Sequence, residues 1–159
     1  MTFLFRSSLC ALLLVGSGCK KDEAAVAPVE VATTSVRLKP AQGELAKLIS
    51  SEVAKARARN LKPFLELRAE WCAPCKDLEK ALDEPSMKEA FAGTFIISVD
   101  IDEWVDKVAP LGFDGSSIPV FYELDDKARP TGRKIDGGAW EENIPKNMAP
   151  PLKAFFAGK

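Results

Sequence analysis

The chain contains no histidine. That excludes Ser-His and Cys-His nucleophilic catalysis, together with every metal site built on imidazole. Cysteine is scarce: Cys10, Cys19, Cys72 and Cys75 are the full complement. A structural zinc site takes four ligands, and neither a second cysteine pair beyond the N-terminal segment nor a histidine is there to complete one. An excess of either charge is missing as well. With 22 basic and 23 acidic residues the net charge is −1, which gives no reason to expect nucleic acid as a partner. The N-terminal apolar run, Leu9 through Val15, is too short to span a bilayer.

What is present reads as one soluble globular domain. The 159 residues are 47% hydrophobic and 28% charged, enough for a single core and too few for two domains of ordinary size. Within it, Cys72-Ala73-Pro74-Cys75 opens a helix. One turn brings the two cysteines onto the same face about 5 Å apart, within the range a disulfide tolerates. Cys72 falls at the helix N-terminus, where unpaired N–H groups and the macrodipole favour the thiolate, the reactive form. Pro74 suits a first turn, having no N–H to lose there. The pair therefore reads as a reversible dithiol/disulfide. A purely structural bridge is the competing reading, but closing so short a loop stabilises little.

Glu70-Trp71-Cys72-Ala73-Pro74-Cys75-Lys76, with Ile118-Pro119 downstream, resembles the active site of thioredoxin-like proteins, whose usual form is Trp-Cys-Gly-Pro-Cys-Lys. The run after Cys75, Lys-Asp-Leu-Glu-Lys and then an acidic residue before Pro85, is similar to the C-terminal periplasmic domain of the DsbD-type reductases. The resemblance covers residues 43–157 and implies an α/β thioredoxin fold, a mixed central sheet flanked by helices on both faces.

Element by element, the pattern predicts helix over Gly43–Asn60, where Leu45, Leu48, Ile49, Val53 and Ala56 recur at helical spacing. A strand follows at Pro63–Arg68, then helix over Ala73–Leu82, broken by Glu84-Pro85, and a second piece over Ser86–Ala92. Thr94–Asp100 is apolar enough for a buried central strand. Asp102–Leu111 reads as helix, with Asp102 as cap and Trp104, Val105 and Val108 inward. Gly112–Ser117 is a loop, Ile118–Leu124 and Thr131–Asp136 form a hairpin, and Ala149–Ala157 is a last helix. Alternation of this kind places helices on both faces of a mixed sheet.

The N-terminus carries an address. Residues 1–18 resemble a bacterial lipoprotein signal: Arg6, the apolar run and Gly16-Ser17-Gly18 lead to Cys19, the residue that would be acylated. Gly16 stands where that pattern usually has Leu; an ordinary secretory signal cleaved near Gly18 is the alternative. Residues 19–42, rich in Ala, Val, Thr and Pro, read as the lipidated cysteine and a flexible tether, with a short strand around Val36–Leu38 as the competing possibility. Residues 43–159 form the folded domain.

The resemblance also assigns roles. Cys72 and Cys75 are the catalytic pair, and no other cofactor or metal is implied. Trp71 shields the pair and contributes to the docking surface. Ile118-Pro119 is the place of the cis-proline that faces the CxxC and pairs with the substrate chain. Its preceding loop, Gly112 onward, is two residues longer than in a typical thioredoxin. Glu66, six residues before Cys72, occupies the place of a buried acid that relays protons, while Ser98 replaces its usual lysine partner. A solvent-facing Glu66 is the competing reading, since Arg68 shares its face. The expectation is an extracytoplasmic, membrane-anchored thiol–disulfide oxidoreductase that reduces exported proteins and draws electrons from a membrane thiol reductase. The Ala-Pro dipeptide and the missing histidine favour the reducing direction. An oxidant or isomerase is the alternative enzyme, and a thiol or copper chaperone, including one handling apocytochrome cysteines, is the alternative outside enzymes. Copper delivery usually adds His or Met ligands, and past the N-terminal segment only Met87 and Met148 are there.

Overall fold

The computed structural model describes residues 34–159. Nine regular elements follow in order: β1 (Thr34–Arg37), α1 (Leu45–Ala58), β2 (Lys62–Arg68), α2 (Ala73–Ala81), α3 (Pro85–Ala90), β3 (Thr94–Asp100), β4 (Val120–Leu124), β5 (Pro130–Asp136) and α4 (Pro145–Phe156). The strands make one sheet in the order β1-β3-β2-β4-β5. β1 and β2 run parallel to β3, whereas β4 pairs antiparallel with both β2 and β5.

The two faces of the sheet bury different residues because strand side chains alternate. From β2, Leu65 and Leu67 join Ile97 and Val99 of β3 against Leu45, Ile49, Val53 and Ala56 of α1. Phe64, on the opposite face, packs with Ile96 and Phe121 against α2, α3 and α4. Phe156 is central there: its ring lies 4.8 Å from Phe64 and from Phe91, and 5.5 Å from Phe121. The same alternation sends Glu66 and Arg68 toward the α2–α4 face.

Three sequence expectations need correction. First, within the segment read as tether, Thr34–Arg37 form strand β1, the possibility set against the tether and placed slightly later in the chain. β1 docks on the free edge of β3, with Thr34 opposite Phe95 and Arg37 opposite Ser98. Leu38 then donates its N–H to Ser98 O at 2.9 Å and is buried. Three half-exposed residues and the exposed Ser35 carry too little pattern to decide between strand and tether; the edge of β3 makes it a strand. Second, Asp102–Leu111 is not an α-helix but a run of turns ending in one 3₁₀ turn, Ala109–Leu111. Asp106 takes a left-handed backbone (φ 59°), which a right-handed helix does not admit, and Pro110 lacks an N–H. Trp104 and Val108 are still buried, but Val105 is 59% exposed. Third, α4 begins at Pro145 rather than Ala149. A proline at the first position costs no hydrogen bond. Pro150 and Pro151 do remove interior bonds, and the helix is held over them by its apolar face, Met148, Ala149, Leu152, Phe155 and Phe156.

Candidate active site

Cys72 is the N-cap of α2, in extended backbone conformation (φ −72°, ψ 103°). Cys75 lies one turn inside, and the two are joined as a disulfide with Cα atoms 5.3 Å apart. The Cys75 N–H donates to Cys72 Sγ at 3.1 Å. This is the cap interaction a serine or aspartate oxygen usually makes, here made by sulfur. After reduction the same N–H, at the positive end of the helix, faces the Cys72 sulfur and stabilises its thiolate. Among the described residues no N–H donates to Cys75 Sγ. In the bonded form both cysteines are nearly closed off, 2% and 1% exposed, packed on Ala69, Ile101 and Ile118.

Ile118-Pro119, at the mouth of β4, has a cis peptide bond. Its Ile118 carbonyl oxygen stands 3.7 Å from Cys72 Sγ. A disulfide sulfur has no proton, so this is a van der Waals approach now and becomes a hydrogen bond only when Cys72 carries S–H. The enlarged loop before it is an ordered structure. Tyr122 Oη donates to Asp114 O at 2.8 Å and accepts the Asp114 N–H at 3.0 Å. The Asp114 carboxylate takes both the N–H and the hydroxyl of Ser116 at 2.9 Å. At Gly115 the backbone crosses so close to Ile101 that a Cβ would lie 3.1 Å from its Cγ2. A bulkier residue there would press the loop away from the cysteines' apolar floor.

Trp71 is 66% exposed, yet its ring is held: Nε1–H donates to Asp102 Oδ2 at 2.7 Å. Asp102 is thus an orienting partner of Trp71 rather than the cap of a helix. Asp100, expected as a strand-end residue, is buried and accepts the N–H groups of Asp102 (3.0 Å) and Glu103 (3.4 Å).

Glu66 is buried, at 9% exposure, as the sequence suggested. Burial pushes its carboxyl above the ordinary value of 4.5 and outweighs the opposing pull of Ser98, Arg68 and Arg37; the Glu79 charge adds to the rise. Ser98 is aligned with it across β2–β3, but its Oγ falls outside hydrogen-bond geometry, so its counter-effect is weak. Arg68, on the same face, is also buried and pairs with Glu79 Oε2 at 2.9 Å. Glu66 looks into a cavity of about 160 Å³ shared with Arg37, Arg68, Leu78, Leu82 and Ser98. Its helical wall is Leu78, Glu79 and Leu82, one to two turns past Cys75, so Glu66 sits beside α2 and not directly beneath the sulfurs. Arg37 Nε, Arg68 Nε and Ser98 Oγ are buried there without a hydrogen-bond partner among the described residues. Such a space has room for several waters, each occupying about 30 Å³ in the liquid.

Cys19 and the rest of the presumed signal lie outside the described residues. Sequence reading missed Arg37, Asp102 as a partner of Trp71, and the Tyr122–Asp114 pair. None has a motif; each contact joins residues distant in the chain or set in irregular loops.

No protein-family model matches the chain. No curated protein matches it either. Among solved structures, the disulphide isomerase from Xylella fastidiosa Temecula1 is similar over 72% of this chain and 90% of its own, at 18% identity and a TM-score of 0.53. Trichomonas vaginalis thioredoxin matches over 66% and 86% at 23% identity (TM-score 0.46). Thioredoxin O2 from Arabidopsis thaliana matches over 66% and 84% at 24% identity (TM-score 0.43). Element order, sheet topology and the likeness to the isomerase structure together show the thioredoxin fold; on it the chain carries a bonded cysteine pair whose geometry suits thiol–disulfide redox chemistry.

Proposed function

We propose that this protein is a membrane-anchored, extracytoplasmic thiol–disulfide oxidoreductase that reduces disulfides of exported proteins. The observation that carries the reading is the Cys72–Cys75 disulfide at the start of α2, with the Ile118 carbonyl 3.7 Å from Cys72 Sγ. In the reduced form the Cys72 thiolate attacks one sulfur of a substrate disulfide. A mixed disulfide forms and the other substrate sulfur leaves as a thiolate, which takes up a proton. Cys75 then loses its proton, by way of the Glu66 cavity or solvent, and attacks Cys72 Sγ. The second substrate thiol is released and Cys72–Cys75 is closed again. Two electrons and two protons pass to the substrate in each cycle. A membrane thiol reductase returns them.

The reducing direction is supported by the Ala-Pro dipeptide and by the absence of a histidine beside the thiolate. Anchoring through Cys19 is supported by the small-residue run before it, and the cell envelope follows as the location.

The test has two arms. Cys75→Ala should trap substrate proteins on Cys72, whereas Cys72→Ala should trap few, read on non-reducing gels. Equal trapping would overturn the order of attack. Equilibration with glutathione should place the pair toward the thioredoxin end of the range, about −270 mV, and away from the strongly oxidising end near about −120 mV. A value at the oxidising end would make the protein an oxidant or isomerase. Stoichiometric copper retention by the reduced domain, without disulfide turnover, would make it a metal chaperone.

A further inference from the structure

We propose that Arg37, on the edge strand β1, is a positioning residue for the docking surface: it holds Trp71 from both its backbone and its ring. The proposal rests on the oxidoreductase reading for its functional consequence, but not for its geometry. Arg37 Nη2 lies 2.6 Å from Glu70 Oε1, and Glu70 is bonded directly to Trp71. The same nitrogen donates to Asp100 Oδ2 at 2.8 Å. Oδ1 of Asp100 caps the turn that presents Asp102, and Asp102 Oδ2 receives the Trp71 indole N–H at 2.7 Å. One guanidinium therefore closes a ring of contacts: Arg37 to Glu70 to Trp71, and Arg37 to Asp100 to Asp102 to Trp71.

The two arms differ in weight. The Asp100 side chain is 2% exposed, so its charge is left without its guanidinium if Arg37 is removed, and that is costly inside a protein. Glu70 is largely exposed, and a surface pair contributes little by itself. Its value is geometric, since it aims the residue before Trp71. The hydrogen bond from Arg37, and then its charge, also hold the Glu70 carboxyl below its ordinary value. Glu103, which binds Lys39 and stands 3.8 Å from Arg37, adds a further tie between the end of β1 and this turn. A large ring that is exposed and already fixed loses less freedom when a substrate chain packs on it, which is the general benefit of preorganisation.

The experiment is nitrogen-15 relaxation of the indole N–H groups in the oxidised full-length protein. Trp71, Trp104 and Trp140 give three signals, and the buried Trp104 and Trp140, bonded to Leu38 O and Asn143 Oδ1, serve as internal standards. The Trp71 indole should be nearly as rigid as these in the wild type. Asp102→Ala and Arg37→Gln should each lower its heteronuclear NOE while leaving the two standards unchanged. In turnover, each variant should raise KM for a disulfide-bonded protein by roughly 2- to 10-fold, the ordering of one or two side chains, with a smaller change in kcat. The ratio of protein to glutathione-disulfide turnover should fall, and the two substitutions combined should do less than the product of their effects. A mobile Trp71 indole in the wild type would overturn the proposal. So would an indole that loosens in Asp102→Ala and not in Arg37→Gln, or equal losses on protein and glutathione disulfide. If the wild type turns over no disulfide, the oxidoreductase reading falls, and the relaxation data still decide whether Arg37 holds Trp71.

Discussion

Glu66→Gln should make the protein more stable at neutral pH and remove a pH dependence. Burial raises the Glu66 carboxyl above its ordinary 4.5, so the folded state holds this proton more tightly than the unfolded chain does. Stability from this group is therefore complete below the unfolded value. It declines as pH rises through the interval between 4.5 and the folded value, and then levels off. Within that interval one group changes stability by at most about 1.4 kcal/mol per pH unit. Glutamine keeps the shape and a hydrogen-bonding end but does not titrate. The difference in unfolding free energy, Gln minus Glu, should thus grow with pH at up to that slope and reach a plateau. For a domain of this size each kcal/mol moves Tm by roughly 3–5 °C. The assay is chemical denaturation of both oxidised proteins from pH 4 to pH 9 at constant ionic strength (about 0.1 M, so that the Debye length stays near 10 Å). Other carboxylates cancel in the difference. Glu44, Glu70, Asp114 and Asp125, which interact with nearby cations or N–H groups, lie below their ordinary values in both proteins. Stability curves that stay parallel across the range would refute the argument and return Glu66 to a solvated site. Where the Glu66 cavity carries the Cys75 proton, the same substitution should also slow release of the mixed disulfide and flatten its pH–rate profile; an unchanged profile would assign that proton to solvent.

Phe156→Ala should destabilise the domain by about 3–5 kcal/mol, the usual cost of emptying a packed aromatic site, measured by urea denaturation; a loss below about 1 kcal/mol would mean the α4 face does not hold the core. Removing residues 1–38 should lower Tm relative to removing residues 1–33, because Leu38, buried beside β3, alone contributes roughly 1.5–3 kcal/mol of burial. Equal Tm values would return β1 to the tether. Mass spectrometry of the native mature protein should find an N-terminal Cys19 bearing two or more acyl chains, the number that gives stable anchoring; an unmodified N-terminus elsewhere would refute it.

The local chemistry of this protein is written in contiguous residues. Trp71 to Lys76 determine a redox pair because spacing, helix start and proline act within one turn, and no distant contact is needed to bring Cys72 and Cys75 together. Thr94–Asp100 declares its buried strand by composition, and Glu84-Pro85 declares the break between α2 and α3 by backbone sterics. Burial of Glu66 could be read from the alternation of β2, but its cavity could not, since that space is lined by α2 and by residues of four strands, β1 to β4. The missed features were all matters of assembly. β1 is a strand only because β3 offers an edge, and the prolines of α4 are tolerated only because five apolar side chains hold that helix on the sheet. The apolar spacing of Trp104 and Val108 mimics a helix, yet a left-handed Asp106 and the hydrogen bonds of Asp100 set a turn. Residues 37, 70, 100 and 102 meet around Trp71 only when β1, the active-site turn and the end of β3 come together. Sequence determined where the cysteine pair lies and why it can close; tertiary structure decided what holds its surroundings still, because charge pairs between separate strands and loops have no period along the chain.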